Sequence, residues 1–74
     1  MVLVFDYSDL KSLMTKKGLT LVDLSKMTGI STHTLSVHFN KGTPFKADQM
    51  IIIGRALELE ALDDYFLSAK LKNL

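Results

Sequence analysis

The chain has 74 residues, no cysteine and a formal net charge of +1 at pH 7. A chain of this length folds as one domain with a core only just large enough for stability, and without cysteine it has neither a disulfide framework nor a thiolate metal site. The near-neutral charge argues against tight non-specific binding to nucleic acid. Hydrophobic residues make up 47% of the chain, so we expect some apolar surface to meet a second copy or another protein.

The first five residues, MVLVF, are apolar but too few for a signal peptide or a membrane span. We therefore expect a cytoplasmic protein with no membrane partner and no small-molecule substrate. The two histidines, His33 and His38, are five residues apart and would not share one face of a helix. For this reason we expect neither a metal site nor another cofactor.

The start of the chain predicts a short extended segment followed by a first helix. Val2–Phe5 carries the only strand signal, and that signal is weak. The first helix is predicted at 7–17, where the Asp6 side chain caps the N-terminus with Asp9 as its capping-box partner.

A second helix is predicted at 21–27, because Thr20 and Asp23 have the spacing of a capping box. Gly29 stands where this helix would stop and reverse, since glycine adopts the left-handed conformation at little cost. Ile30, directly after the turn, is expected to point into the core.

A third helix is predicted at 32–39, with Ser31 or Thr32 as its N-cap. Two helices joined by a short glycine-containing turn are typical of a helix-turn-helix, here at about 20–40. An ordinary helical hairpin in a small bundle would have the same spacing, so the residues alone leave both interpretations open.

Two further helices are predicted at 47–57 and 61–71, which makes the chain (1–74) a single all-α domain with five helices. The inward stripe of the fourth helix comprises Met50, Ile53, Gly54 and Leu57. Ile51 and Ile52 lie outside that stripe. Either this helix is buried on two sides by its neighbours, or Ile52 belongs to an interface.

Charge is distributed unevenly along the chain. No Asp or Glu occurs from 24 to 47, where Lys26, Lys41 and Lys46 are found, whereas 58–64 contains four acids and no base. The sequence therefore predicts a mildly positive helix-turn-helix end and a negative end beyond it.

The run GLTLVDLSKMTGISTHTLSVHFNKG resembles the helix-turn-helix of the Cro and CI repressors of temperate phages. FDYSDL at the start, TPFK after the third helix and DYF near the end are similar to small Cro-like proteins of phages of Gram-positive bacteria. The resemblance implies a compact five-helix bundle of the lambda-repressor-like type. It also implies a transcriptional regulator of the lysis–lysogeny switch that binds operator DNA through the third helix, as a homodimer on a two-fold site.

The resemblance also implies which side chains meet DNA. The residues facing base edges would be Thr32, His33 and Val37, with Thr34 or Ser36 at the margin. The residues approaching phosphates would be Ser31, Asn40, Lys41, Thr43 and Lys46. These assignments fit the chemistry, because hydroxyl, amide and ammonium groups supply the donors that phosphate contacts need.

Four residues are expected to serve packing. Met14, Met27 and Met50 would fill the core. His38 stands where the family usually has an aliphatic core residue, so we expect it to be a half-buried packing residue.

Three apolar residues depart from the family pattern and favour a second hypothesis. Leu21, Val37 and Ile52 stand where family members commonly have polar residues. Apolar side chains at these positions cost contacts with DNA and favour contact with another protein. The alternative is therefore an anti-repressor that binds the cognate CI-type repressor, as the small modulator-of-repression protein of temperate lactococcal phages does.

Catalysis is not expected. Asp63 and Asp64 are adjacent and would point apart on a helix, and the Ser31–His33 pair is better explained by capping.

Overall fold

A computed structural model describes residues 2–67 and 69–72 as a small helical bundle. Its helices are α1 (Ser8–Lys16), α2 (Leu21–Thr28), α3 (Thr32–Lys41), α4 (Ala47–Leu57) and α5 (Leu62–Phe66). Two short strands, β1 (Val2–Phe5) and β2 (Ala69–Lys72), form the only sheet of the described residues. The Cα radius of gyration is 11.9 Å, close to the roughly 11 Å expected for a compact chain of this length. The prediction of an all-α bundle with five helices is confirmed.

The predicted caps of α2 and α3 are present. The Thr20 hydroxyl accepts from the Asp23 N–H at 3.2 Å, and the Asp23 carboxylate accepts from the Thr20 N–H at 2.9 Å. That N–H and the Thr20 hydroxyl together lower the pKa of Asp23. Gly29 ends α2 in the left-handed conformation (φ 79°), and the Ser31 hydroxyl caps α3 by accepting from the Thr34 N–H at 3.1 Å.

The predicted capping box of the first helix is wrong. The helix begins at Ser8, and its N-cap residue is Tyr7, whose side chain makes no capping hydrogen bond. The Asp6 carboxylate instead accepts from the Ser8 N–H at 3.0 Å. Asp6 lies one residue before the N-cap, so its carboxylate binds an N–H of the first turn. The Asp9 side chain does not return the second hydrogen bond that a capping box requires.

The predicted fifth helix is wrong at 67 and at 69–71, and residue 68 lies outside the described residues. Residues 69–72 form β2 instead, which pairs antiparallel with β1 from Val2↔Lys72 to Phe5↔Ala69. Its sequence, AKLK, alternates small or apolar residues with lysine, which is the period of a strand rather than of a helix. The ends of the chain therefore meet in one ribbon.

Ten buried side chains form a single core, to which every helix contributes. They are Tyr7, Leu10, Met14, Leu24, Leu35, Phe39, Phe45, Ile53, Leu57 and Phe66. Ile30 packs against this core, as predicted, and Met50 does the same. The assignment of Met27 to the core is wrong, because 49% of its side chain is exposed.

The α4 helix is buried on one side only. Ile53 and Leu57 are buried, whereas Ile51 and Ile52 are 47% and 41% exposed. The interpretation of α4 as a helix buried on two sides is therefore wrong.

Gly42 lies where β1 approaches the end of α3. Its φ is 68°, its carbonyl accepts from the Phe5 N–H at 2.8 Å, and a Cβ atom there would lie 2.7 Å from the Phe5 carbonyl oxygen. Both the backbone conformation and the lack of space therefore require glycine.

We expect Gly42→Ala to destabilise the fold more than Gly29→Ala, its matched control. Both glycines end a helix with positive φ, so both substitutions cost about 1–2 kcal/mol in backbone conformation. Only Gly42→Ala adds a clash, since a Cβ on Gly29 meets no atom within 4 Å; overpacking adds about 1–3 kcal/mol. Urea unfolding of the two variants measures the difference, and equal losses would contradict this account of the β1–α3 contact.

Candidate nucleic-acid interface

The N-terminal turn of α3 is exposed. Ser31, Thr32 and His33 are all exposed, directly after the turn at Gly29. The Ser31 hydroxyl donates to Thr34 Oγ1 at 2.9 Å while it caps the helix. Thr32 and His33, predicted to face base edges, are thus accessible to a partner.

The next turn of α3 is less accessible. Ser36 and Val37 are half-buried, and Ser36 Oγ accepts from Asn40 Nδ2 at 3.0 Å. Asn40 is exposed, but this bond holds its amide along the helix. The surface that α3 presents most fully is therefore its N-terminal turn.

Two lysines flank the loop between α3 and α4. Lys41 and Lys46 are exposed, at the last residue of α3 and at the N-cap of α4. The Lys46 N–H donates to Gln49 Oε1 at 2.9 Å, so the start of α4 is capped from within the chain. The ammonium groups of these lysines remain as the cationic features of the loop.

Thr43, predicted to approach phosphate, is half-buried and contacts the protein itself. Its hydroxyl lies 2.7 Å from His38 Nδ1, and its carbonyl accepts from the Tyr7 hydroxyl at 2.7 Å. The His38 ring packs against that of Phe45, with ring centroids 4.3 Å apart and the ring planes tilted by 31°. The prediction that His38 is a half-buried packing residue is confirmed.

The loop from Lys41 to Lys46 is therefore held from three directions. The Phe5 N–H of β1 binds the Gly42 carbonyl, Tyr7 binds the Thr43 carbonyl, and His38 of α3 contacts Thr43. These contacts hold Gly42 and Thr43, in the loop that separates Lys41 from Lys46, against β1, Tyr7 and α3. Local sequence patterns do not reveal these contacts, because the partners are up to 37 residues apart along the chain.

Of the three residues predicted to form an apolar partner surface, only Ile52 is exposed. Leu21 is half-buried and packs against the core, and Val37 is half-buried. The structure exposes two other apolar side chains of α2, Val22 (53%) and Met27 (49%).

A surface groove also lies away from α3. Its volume is about 550 Å³, and it lies between α1 and α5, where Asp9, Leu13, Lys16, Asp64 and Tyr65 are among its lining residues. Within residues 2–67 and 69–72, no three His, Cys, Asp or Glu side chains are placed to hold a metal ion. The exposed N-terminal turn of α3 and the two lysines of the following loop are the candidate site.

The sequence matches no protein-family model, and a comparison with curated proteins finds no significant relative. Membership of this chain in the Cro and CI group therefore stays a prediction from the motifs quoted above. No helix in the described part of the chain is long and apolar enough to cross a membrane.

We expect Tyr7→Phe to lower the free energy of unfolding by about 1 kcal/mol at pH 7, because one hydrogen bond to a partly buried carbonyl is lost. Tyr65→Phe, which alters the only other tyrosine, is the control. Urea unfolding measures both variants. If Tyr7→Phe has the same free energy of unfolding as the wild type, the bond to Thr43 does not hold the loop.

The same variant tests the ionisation of Tyr7. Burial raises the pKa of Tyr7 above 10.0, against a smaller opposing effect of the Phe45 backbone. As pH rises past 10, the unfolded chain loses the Tyr7 proton before the folded chain does, so the wild type loses stability. Tyr7→Phe lacks this loss, and the stability difference between the two proteins should narrow in that range. A constant difference from pH 8 to 11 would contradict the raised pKa.

Proposed function

We propose that the protein is a helix-turn-helix transcriptional regulator that binds operator DNA through α3. The observation that carries the proposal is the exposed, acid-free N-terminal turn of α3, together with exposed Lys41 and Lys46 at the two ends of the loop that follows this helix. In a helix-turn-helix, the N-terminal residues of the second helix contact base edges in the major groove.

The exposed side chains supply suitable chemistry for base contacts. An imidazole N–H of His33 would donate to a guanine acceptor, and the Thr32 methyl group would contact a thymine methyl. The N-terminal turn of α3 contains no Arg, Gln or Asn, the side chains that make bidentate contacts with bases. Discrimination between DNA sequences would therefore be modest.

The lysines would position the protein on the phosphate backbone. Lys41 and Lys46 stand at the two ends of one braced loop, and no acid occurs from 24 to 47. Repulsion from phosphate is therefore low on this part of the molecule, even though the net charge is only +1. Asn40 would add a neutral donor at the margin through its second amide hydrogen, whereas the Ser31 hydroxyl already donates to Thr34 Oγ1.

The resemblance to Cro-like proteins supports a role in the lysis–lysogeny switch of a phage, in the cytoplasm of the bacterial host. On this proposal the protein is not an enzyme and uses no cofactor, since DNA binding alone regulates transcription.

We expect Lys41→Gln and Lys46→Gln each to weaken DNA binding across all sequences. A plot of log binding constant against log salt concentration has a negative slope, and each lost phosphate contact should make that slope shallower by about 0.9. Lys17→Gln, an exposed lysine just after α1, is the control with the same change of charge. Fluorescence anisotropy with a labelled switch-region duplex at several salt concentrations measures the slopes.

If all three variants lower the affinity equally, attraction is a general effect of net charge and the loop has no special part. If the wild type binds no DNA even at low salt, the proposed function is wrong.

We expect Thr32→Ala and His33→Ala to reduce discrimination between operator and unrelated DNA about fivefold, or about 1 kcal/mol, and to leave the fold intact. Both side chains are exposed, so their truncation removes little packing. Competition binding measures the ratio of affinities, and circular dichroism checks the fold. Unchanged ratios in both variants would exclude these residues from base recognition.

A second candidate function is binding to the cognate CI-type repressor, and the exposure of Val22 and Met27 on α2 favours it. Apolar side chains at about half exposure, on the helix that supports α3, suit a protein partner better than phosphate. Val22→Lys should then abolish repressor binding, whereas it should improve DNA binding if α2 meets phosphate. Leu21→Lys is less suitable, since Leu21 packs against the core.

A further inference from the structure

The α4 helix has a second stripe of residues on the side away from the core. Residues at i, i+3, i+4 and i+7 share one face of a helix, and both the core-facing stripe and the outer one have this spacing. The outer stripe consists of Asp48, Ile51, Ile52 and Arg55, all of which are exposed. The isoleucines are 47% and 41% exposed, so the centre of this stripe is apolar.

The charges of the outer stripe are arranged symmetrically about its centre. Asp48 and Arg55 lie at opposite ends, and the midpoint between them falls between Ile51 and Ile52. Among the described residues, neither charged group forms an ion pair within the chain; Asp48 Oδ1 accepts only from the Gln49 N–H, at 2.9 Å.

We propose that the outer stripe of α4 is an interface between two copies of this chain, packed with their α4 helices antiparallel about a two-fold axis. In that arrangement Ile51 faces Ile52 of the partner copy at the axis, and Ile52 faces Ile51 of the partner copy. Asp48 then faces the partner's Arg55, and Arg55 faces the partner's Asp48. A parallel arrangement would instead place like charges together.

A second copy is the occupant that this pattern fits. An isologous two-fold interface must be self-complementary, because each residue meets the same surface on the partner. The sequence acid–Ile–Ile–base, read in opposite directions on two helices, satisfies that requirement in both charge and hydrophobicity. This inference does not depend on DNA binding.

The dimer is expected to be weak. α4 has 11 residues and is therefore only about 16 Å long, so one helix pair buries less than the roughly 800 Å² per partner of a standard interface. Association should accordingly depend on protein concentration and, through the charged pairs, on salt.

Sedimentation equilibrium of the full chain from roughly 10 μM to 1 mM tests the interface. The wild type should form dimers, and Ile52→Lys should raise the dissociation constant at least tenfold. Val22→Lys, which makes the same exchange at an exposed apolar residue of α2, is the matched control and should leave the constant unchanged.

Charge reversal gives a test that loss of folding cannot imitate. Arg55→Asp alone opposes two acids across the interface, and Asp48→Arg alone opposes two bases, so each variant should self-associate poorly. An equimolar mixture restores both opposite-charge pairs and should form heterodimers. Circular dichroism of each variant checks that α4 is retained.

A wild type that stays monomeric throughout the concentration range would overturn the proposal, even if α4 contacts a repressor or DNA when either is added. A dimer that is insensitive to Ile52→Lys, or a mixture of charge variants without heterodimers, would also overturn it. Loss of DNA binding with an intact dimer would instead count against the proposed function alone.

Discussion

The fold depends on Tyr7, whose ring and hydroxyl connect β1 and α5 to α3 and the loop that follows it. Its side chain is 2% exposed, and its ring lies within 6.4 Å, centroid to centroid, of four phenylalanine rings: Phe5, Phe39, Phe45 and Phe66. These come from β1, α3, the loop before α4, and α5. The hydroxyl satisfies the Thr43 carbonyl. One aromatic residue therefore joins the packing of the core to the position of the proposed DNA-contacting loop.

This arrangement separates the residues that support the fold from the proposed recognition surface. Buried apolar and aromatic side chains hold α3 and the following loop in place. The side chains at the N-terminal turn of α3 are exposed and are not part of the core. Thr32 and His33 can therefore vary without cost to folding, which suits a surface that reads a particular operator. The four acids of 58–64 lie in and before α5. The acidic segment and the acid-free segment around α3 therefore belong to different elements of the fold.

Local chemistry made the middle of the fold predictable. The Thr20–Asp23 capping box, Gly29 and Ser31 define α2 and α3 through bonds between residues at most four apart, and the bounds of α4 were predicted as observed. The pairing of β1 with β2 was not predictable in this way, because Val2 and Lys72 are brought together only by the complete fold. The contacts of Thr43 and the exposure of Ile51 likewise depend on how elements pack, which periodicity alone does not determine.

The most direct test of the central claim is an NMR titration of the isotopically labelled protein with a short switch-region duplex at low salt. We predict that the largest amide shifts fall on the N-terminal turn of α3, at Ser31, Thr32 and His33, and on Lys41 and Lys46, with α5 unaffected. Shifts confined to α2 and α4, or no shifts at saturating DNA, would contradict DNA binding through α3.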